Sequence, residues 1–161
     1  MGTVKDRAAN RPTMAAMAKA PGSKPQRSRE AAREAVQQAG VTPAGRDPFT
    51  RELRRREVLP LLVLHYISEG PSYGNRLMER IGEVTAGVLS VNPNTMYPLL
   101  RQLEERGLIE GRWEHPERRT RRNYEITAKG RKEYERLTGE VRPFLDAARA
   151  SIDEIVREVY G

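Results

Sequence analysis

The sequence contains no cysteine, which excludes disulfides, thiol chemistry and cysteine-bearing zinc sites together. Its two histidines, His65 and His115, stand 50 residues apart with no ligand spacing around either, so no metal and no cofactor is expected. Large aromatics are few, with one Trp and two Phe, and hydrophobic residues make up only 37%. The core must therefore be small and the surface large. The longest apolar run, Val58 to Ile67, is too short to cross a bilayer. Near the N-terminus, Met14 to Ala20 has a basic front and an A-x-A-like end, but its apolar stretch stops at Lys19, too soon for a secretory signal. A cytoplasmic protein without a membrane partner is the expectation. Also missing are a Ser/His/Asp or Cys/His set, a glycine-rich phosphate loop and a convergent carboxylate group, so no enzyme is expected.

Charge is plentiful but uneven. The formal net charge is +7, from 29 Lys and Arg against 22 Asp and Glu. Residues 1–48 hold nine basic against four acidic side chains, and the rest of the chain holds 20 against 18. Any surface for an anionic partner must be local, and a basic balance alone is weak evidence. Residues 1–48 have almost no large apolar side chains and cannot offset their ordering entropy, so most of this extension is expected to be disordered. A helix over Ser28–Ala39, stopped by Gly40, is the one element its composition allows. Met14 and Met17 leave open an over-long gene start, and an unimportant leader competes with a basic arm that adds non-specific affinity for nucleic acid.

Residues 49–127 change character. Thr50 is placed to cap a helix containing Leu53 and the apolar Val58–Ile67 segment, which ends at Gly70-Pro71; Pro60 implies a kink or a late start near Val58. Ser72 is placed to cap a second helix running to about Thr85, with Leu77, Met78 and Ile81 at helical spacing and Gly87 in the turn beyond. A third helix spans Pro93 or Thr95 to Arg106. It buries Met96, Leu99, Leu100 and Leu103 and stops at Gly107. Pro98 costs little there if Asn94 is the cap. Two strands follow, one with Leu108, Ile109, Arg112 and Trp113, the other from Asn123 to Ile126, joined through Arg118-Arg-Thr-Arg-Arg122. A polar helix N-terminus beside an arginine-tipped hairpin is the arrangement of a winged helix-turn-helix, in which the helix enters the major groove and the hairpin reaches phosphates or the minor groove. The fold class is thus mainly α with a small β-hairpin wing.

Thr127 is placed to cap the last helix, in residues 128–161. Its apolar positions include Tyr134, Val141, Leu145, Ala148, Ile152, Ile155 and Val159. From Val141 the spacing alternates four and three, a heptad seam narrower than an ordinary core face, which favours a partner helix and a homodimer over packing on its own domain. Gly139 and Pro143 allow a kink or a break.

The candidate contacts with double-stranded DNA follow from chemistry at these places. Thr95 and Tyr97 carry hydroxyls that can donate to phosphate oxygens near a helix N-terminus with its own amides and positive dipole end; Tyr97 could instead be a core tyrosine. One of Asn92 and Asn94 caps the helix, and the other is available to pair with adenine. Arg101 is a weaker base-contact candidate. Arg118, Arg119, Arg121 and Arg122 form a denser charge run than an exposed loop needs, and an anionic partner relieves their repulsion. Trp113 either packs on the third helix, the commoner role, or lines an effector pocket. His65 is expected to be buried and hydrogen-bonded. The rival to DNA binding is a winged helix serving as a protein-protein interaction module, with the wing against an acidic partner.

Three segments carry a family resemblance. Leu61-Leu-Val-Leu with Ser68-Glu-Gly-Pro-Ser-Tyr-Gly74 and Leu77, then Thr95-Met-Tyr-Pro-Leu-Leu-Arg-Gln-Leu-Glu-Glu-Arg-Gly-Leu-Ile109, then Tyr124-Glu-Ile-Thr-Ala-Lys-Gly130 together resemble the PadR family of bacterial transcriptional regulators over roughly residues 53–137. The Thr-x-Tyr-Pro element ahead of a leucine-rich helix and Gly-Leu-Ile is the most discriminating. The resemblance implies a winged-helix repressor bound to a DNA operator, dimerised through its C-terminal helix and released by a small apolar effector. Asn75 departs from the tyrosine often found after that turn, and residues 1–48 fall outside the pattern.

Overall fold

The computed structural model describes residues 24–38, 48–89 and 91–161. Six helices and three short strands follow in the order α1 (Lys24–Gln38), α2 (Pro48–Arg55), α3 (Val58–Ser68), β1 (Ser72–Tyr73), α4 (Gly74–Val84), α5 (Pro93–Glu105), β2 (Ile109–Trp113), β3 (Arg122–Ile126) and α6 (Ala128–Tyr160). The strands form one antiparallel sheet in the order β1-β3-β2, with β2 and β3 as the wing hairpin. This is the expected winged helix with a long C-terminal helix. Helix α1 covers Ser28–Gln38 of the segment anticipated at Ser28–Ala39 and starts earlier, at Lys24; Ala39 and the Gly40 stop lie outside the described residues. The disorder anticipated for most of residues 1–48, and the Met14–Ala20 segment, lie outside the described residues.

The helix anticipated from Thr50 is two helices. Helix α2 already starts at Pro48, where a missing N–H costs nothing, so Thr50 sits inside its first turn instead of capping it. The break falls at Glu57, which is left-handed with φ 58°. Pro60 explains it, because its ring nitrogen cannot donate to the Arg56 carbonyl that a continuous helix would present. Helix α3 then restarts at Val58 and contributes Val63, Leu64 and Ile67 to the core.

Ser72 does not cap α4. It pairs with Tyr124 as an edge strand and is only 3% exposed, and its hydroxyl has no partner among the described residues. The N-cap position belongs to Tyr73, which offers no side-chain bond. Pairing with β3, distant in sequence, has overridden the local capping signal.

Helix α5 settles the choice between the two asparagines. Asn92 is the N-cap; its side-chain oxygen accepts from the Thr95 amide at 3.1 Å. Pro98 is consequently well inside the helix, and the Asn94 carbonyl has no fourth-residue donor. The C-terminus closes as a Schellman motif. Gly107, at φ 71°, donates to the Glu104 carbonyl at 2.8 Å, and Leu108 donates to the Leu103 carbonyl at 2.9 Å. Leu103 and Leu108 are both buried, which supplies the apolar contact of that motif.

Thr127 caps α6 as anticipated, accepting from the Gly130 amide at 3.0 Å. The helix runs unbroken through Pro143; Gly139, whose carbonyl would have taken the missing bond, leaves space on that turn. Its first half packs on α3. Leu137, absent from the anticipated seam, is 1% exposed, and Val141 is 3% exposed; each buried side chain of this kind contributes about 1.5–3 kcal/mol. Val141 therefore belongs to the core of its own chain. Beyond it, Leu145, Ile152, Ile155, Val156, Val159 and Tyr160 are exposed.

His65 is hydrogen-bonded as anticipated, its Nδ1 lying 2.9 Å from the Tyr134 hydroxyl. It is only half-buried, because Nε2 faces Glu69 at the surface, 3.5 Å away.

Candidate nucleic-acid interface

A concave surface lies between α5 and the wing. It is a groove of about 530 Å³ lined by Tyr73, Asn75, Tyr97, Arg101, Trp113 and the wing residues Arg119, Arg121 and Arg122, with Glu104 and Tyr124 at its floor. Helix α5 brings Tyr97 and Arg101 to one side because they share a helical face. The hairpin brings Trp113, Arg122 and Tyr124 to the other. Trp113 pairs with Arg122 and Gly111 with Tyr124, so these four positions share one face of the wing. Burial raises the Tyr124 hydroxyl above the usual tyrosine range; it stays neutral at physiological pH and can donate a hydrogen bond.

The anticipated contacts divide by how local structure employs them. Asn92 and Thr95 are bonded to each other within the cap, the Thr95 hydroxyl donating to Asn92 Oδ1 at 3.3 Å. Asn94, Tyr97 and Arg101 are exposed. Tyr97 is thus not a core residue; its hydroxyl donates to Asn75 Oδ1 at 3.3 Å, and its ring packs so closely on Gly74 that a Cβ there would overlap it. The Asn75 departure from the family pattern therefore supplies a direct partner to Tyr97. Arg118, Arg119 and Arg121 are exposed on the wing. Arg119 takes a left-handed turn at φ 46°, and the Arg121 guanidinium stacks on the Tyr73 ring at 4.3 Å. Arg121 also lies 3.7 Å from Glu114 within the exposed hairpin, whereas Arg122 is half-buried and paired with Glu104 of α5.

Trp113 does not pack on α5. It is 39% exposed at the mouth of the groove, with the Arg122 guanidinium 5.6 Å from its ring. Tyr73, Asn75 and Glu104 were missed by the sequence reading. The first two reach the groove only because β1 pairs with β3, and a lone glutamate in a helix carries no local sign of its partner.

The opposite end of α5 is fastened to α6. The Thr127 hydroxyl donates to the Gly107 carbonyl at 2.6 Å, and the Thr127 amide donates to the Leu108 carbonyl at 3.1 Å. Lys129 Nζ donates to the Arg106 carbonyl at 2.8 Å. Gly130 sits so close to Leu108 that a Cβ would overlap its carbonyl oxygen. Glu133 binds Arg136 and Arg106, and those hydrogen bonds, Arg136 first, hold its carboxyl down at about 2. The carbonyl of the α5 C-cap residue Arg106, and those of Gly107 and Leu108 just beyond it, are thereby satisfied by Thr127 and Lys129 at the start of α6.

Among the described residues, no helix is long and apolar enough to cross a membrane. Comparison with known proteins bears on the whole arrangement. Residues 63–136 match the transcriptional regulator PadR-like family. The chain is 31% identical over 111 residues to the transcriptional regulator Rv3488 of Mycobacterium tuberculosis, covering 69% of this chain and 90% of that one. Two solved structures have the same fold. A transcriptional regulator from Clostridium thermocellum is 26% identical, with a TM-score of 0.52, over 65% of this chain and 98% of its own. A PadR family transcriptional regulator from Eggerthella lenta is 27% identical, with a TM-score of 0.52, over 65% and 88%. With the winged helix, the groove and these relatives in agreement, the chain belongs to the PadR-like family of transcriptional regulators, and is not an enzyme.

Proposed function

We propose that this regulator is a sequence-specific double-stranded DNA-binding repressor that acts as a homodimer in the cytoplasm. One observation carries the proposal: exposed Tyr97 and Arg101 share a groove with exposed Arg119 and Arg121 of the wing, and exposed Asn94 lies on the turn of α5 ahead of them, so one DNA strand could meet both. The N-terminal turn of α5 enters the major groove, where Asn94, relieved of capping by Asn92, pairs with a base edge. Tyr97 exchanges its bond to Asn75 for a phosphate oxygen. Arg118, Arg119 and Arg121 neutralise the flanking backbone, and the basic segment 1–48 adds non-specific affinity.

The exposed seam of α6, from Leu145 through Ala148, Ile152 and Ile155 to Val159, supports dimerisation. A helix of this length extends about 50 Å, and its second half offers apolar side chains that stay exposed among the described residues. A twofold dimer would set two recognition helices about 34 Å apart on a near-palindromic operator. The joint between α5 and α6 gives effector release a route. A small apolar molecule between the α6 helices and the core would tilt α6, and α5 would follow. Its effect is limited to its differential affinity for the two arrangements.

Sequencing the genomic fragments that the full chain retains tests the proposal. An enriched near-palindrome upstream of genes supports it. Indifference to DNA with a stable complex containing an acidic protein would establish the protein-interaction reading instead.

A further inference from the structure

Both strands of the wing are tied to the recognition helix through one carboxylate. Glu104, in the last turn of α5, accepts from Arg122 at 2.5 Å and from the Gly111 backbone amide at 3.0 Å, both through Oε1. Arg122 and Gly111 belong to the two different wing strands. Arg122 also donates to the Gly111 carbonyl at 3.4 Å, and a Cβ on Gly111 would overlap its guanidinium. The arginine thus lies across the hairpin, over the one position without a side chain, and ends on the helix.

We propose that Glu104 is a positioning residue that sets the specificity of this regulator. It fixes the angle between wing and recognition helix, and it withholds Arg122 from DNA phosphate. The inference rests on the DNA-binding reading above. Two physical points carry it. First, the pair is about one-third exposed on each side (34% for Arg122, 29% for Glu104), and an ion pair in that setting adds little to stability. Its value is geometric, because it joins two strands and a helix through one atom. Second, Glu104 is an anion on the floor of a groove proposed to receive phosphate. Only with Arg122 committed to it is that charge tolerable there. Removing it releases a cation into the groove, which strengthens contact with any sequence while loosening the aim of the wing.

Three variants separate this from a direct Arg122–phosphate contact. Binding is measured at several salt concentrations, on a random-sequence duplex and on the enriched genomic fragment. Arg121→Gln should lower the log-log salt slope by about 0.9, the value of one lost phosphate contact. Arg122→Gln should lower the slope on random duplex by less than Arg121→Gln does and weaken binding to the enriched fragment several-fold. Glu104→Gln should tighten random-duplex binding, steepen the slope by up to about 0.9, and lower the ratio of specific to non-specific affinity. Amide hydrogen exchange at Gly111 in the free protein supplies a reading without DNA; it should accelerate in Glu104→Ala and in Arg122→Gln. A slope for Arg122→Gln that falls as far as that for Arg121→Gln would overturn the proposal. So would unchanged Gly111 exchange in Glu104→Ala. If the wild-type chain binds no DNA, the reading above fails, while the exchange experiment still decides whether the brace holds the wing. Should Arg122→Gln melt too low for binding assays, Glu104→Gln, which keeps the shape and an acceptor oxygen, decides the binding arm by itself.

Discussion

The two ends of helix α5 have opposite fates. At its N-terminus, one asparagine closes the cap, and the side chains around it face solvent. At its C-terminus, the Schellman turn takes up the last carbonyls, Thr127 and Lys129 bond the Gly107 and Arg106 carbonyls, and the Glu133–Arg106 ion pair adds a side-chain tie to α6. A recognition helix needs this asymmetry. The groups that read DNA must be left over after the helix has satisfied itself. The groups that transmit a signal must be consumed by a neighbouring element. Asn92 and Asn94 show the difference two positions apart, since the first is occupied by the cap and the second is available.

The largest effect on this comparison should come from separating the two copies. Ile152→Asp with Ile155→Asp should give a monomer in light scattering and cut affinity for a palindromic fragment more than any single-site change in the groove. A dimer mass retained by that variant would remove the α6 seam from the account.

Next comes the clamped end. Gly130→Val drives a side chain into the Leu108 carbonyl, and overpacking of this kind costs about 1–3 kcal/mol. The melting temperature should fall, while any loss of DNA affinity should come without a change in salt slope.

The open end should respond differently. Asn94→Ala should relax preference at one base position, at about 1–3 kcal/mol, without lowering the melting temperature. Asn92→Ala should cost about 0.5–2 kcal/mol of stability through the lost cap. Tyr97→Phe keeps the ring against Gly74 and loses one donor, so affinity should fall modestly on every sequence. Scanning operator variants against each protein, with thermal melts alongside, distinguishes the three.

The smallest expected effect is a pH dependence of the clamp. Glu133 sits at about 2 when folded, against 4.5 for its ordinary value, so its stabilising contribution is present above about 4.5 and is lost as pH falls toward 2. Glu52 is lowered to about 2 as well, by Arg55 first and then Arg56, and titrates in the same window. Glu133→Gln should remove the larger share from Arg136 within α6 together with the smaller one from Arg106 across the joint, leaving that of Glu52, measured as melting temperature against pH. An acid profile identical to wild type would show that Glu133 does not tie the joint.

Much of this architecture was legible from the chain. Helix α5 with its glycine stop, the wing strands and the Thr127 cap all rest on short-range signals, and each appears where the spacing puts it. What failed were choices decided at long range. Ser72 has the local profile of a cap and becomes a strand because β3 offers it a partner. Thr50 lost its place because Pro48 can start a helix and Pro60 interrupts one. Trp113 was expected against α5, yet it is largely open to solvent and lines the groove. Within the candidate interface, Arg118, Arg119 and Arg121 look alike in sequence to Arg122. Only the position of Glu104 sets the last apart, and no spacing rule announces that pairing.

The central claim is that the open end of α5 and the wing together read DNA. Its most direct test is the affinity of the full chain for the enriched genomic fragment and for a random duplex, across a series of salt concentrations. The account predicts tighter binding to the enriched fragment at every concentration, with a steep linear fall in log affinity against log salt that flattens when Arg118, Arg119 and Arg121 are replaced by alanine. Equal affinity for the two duplexes, or a wing variant with the wild-type slope, would contradict it.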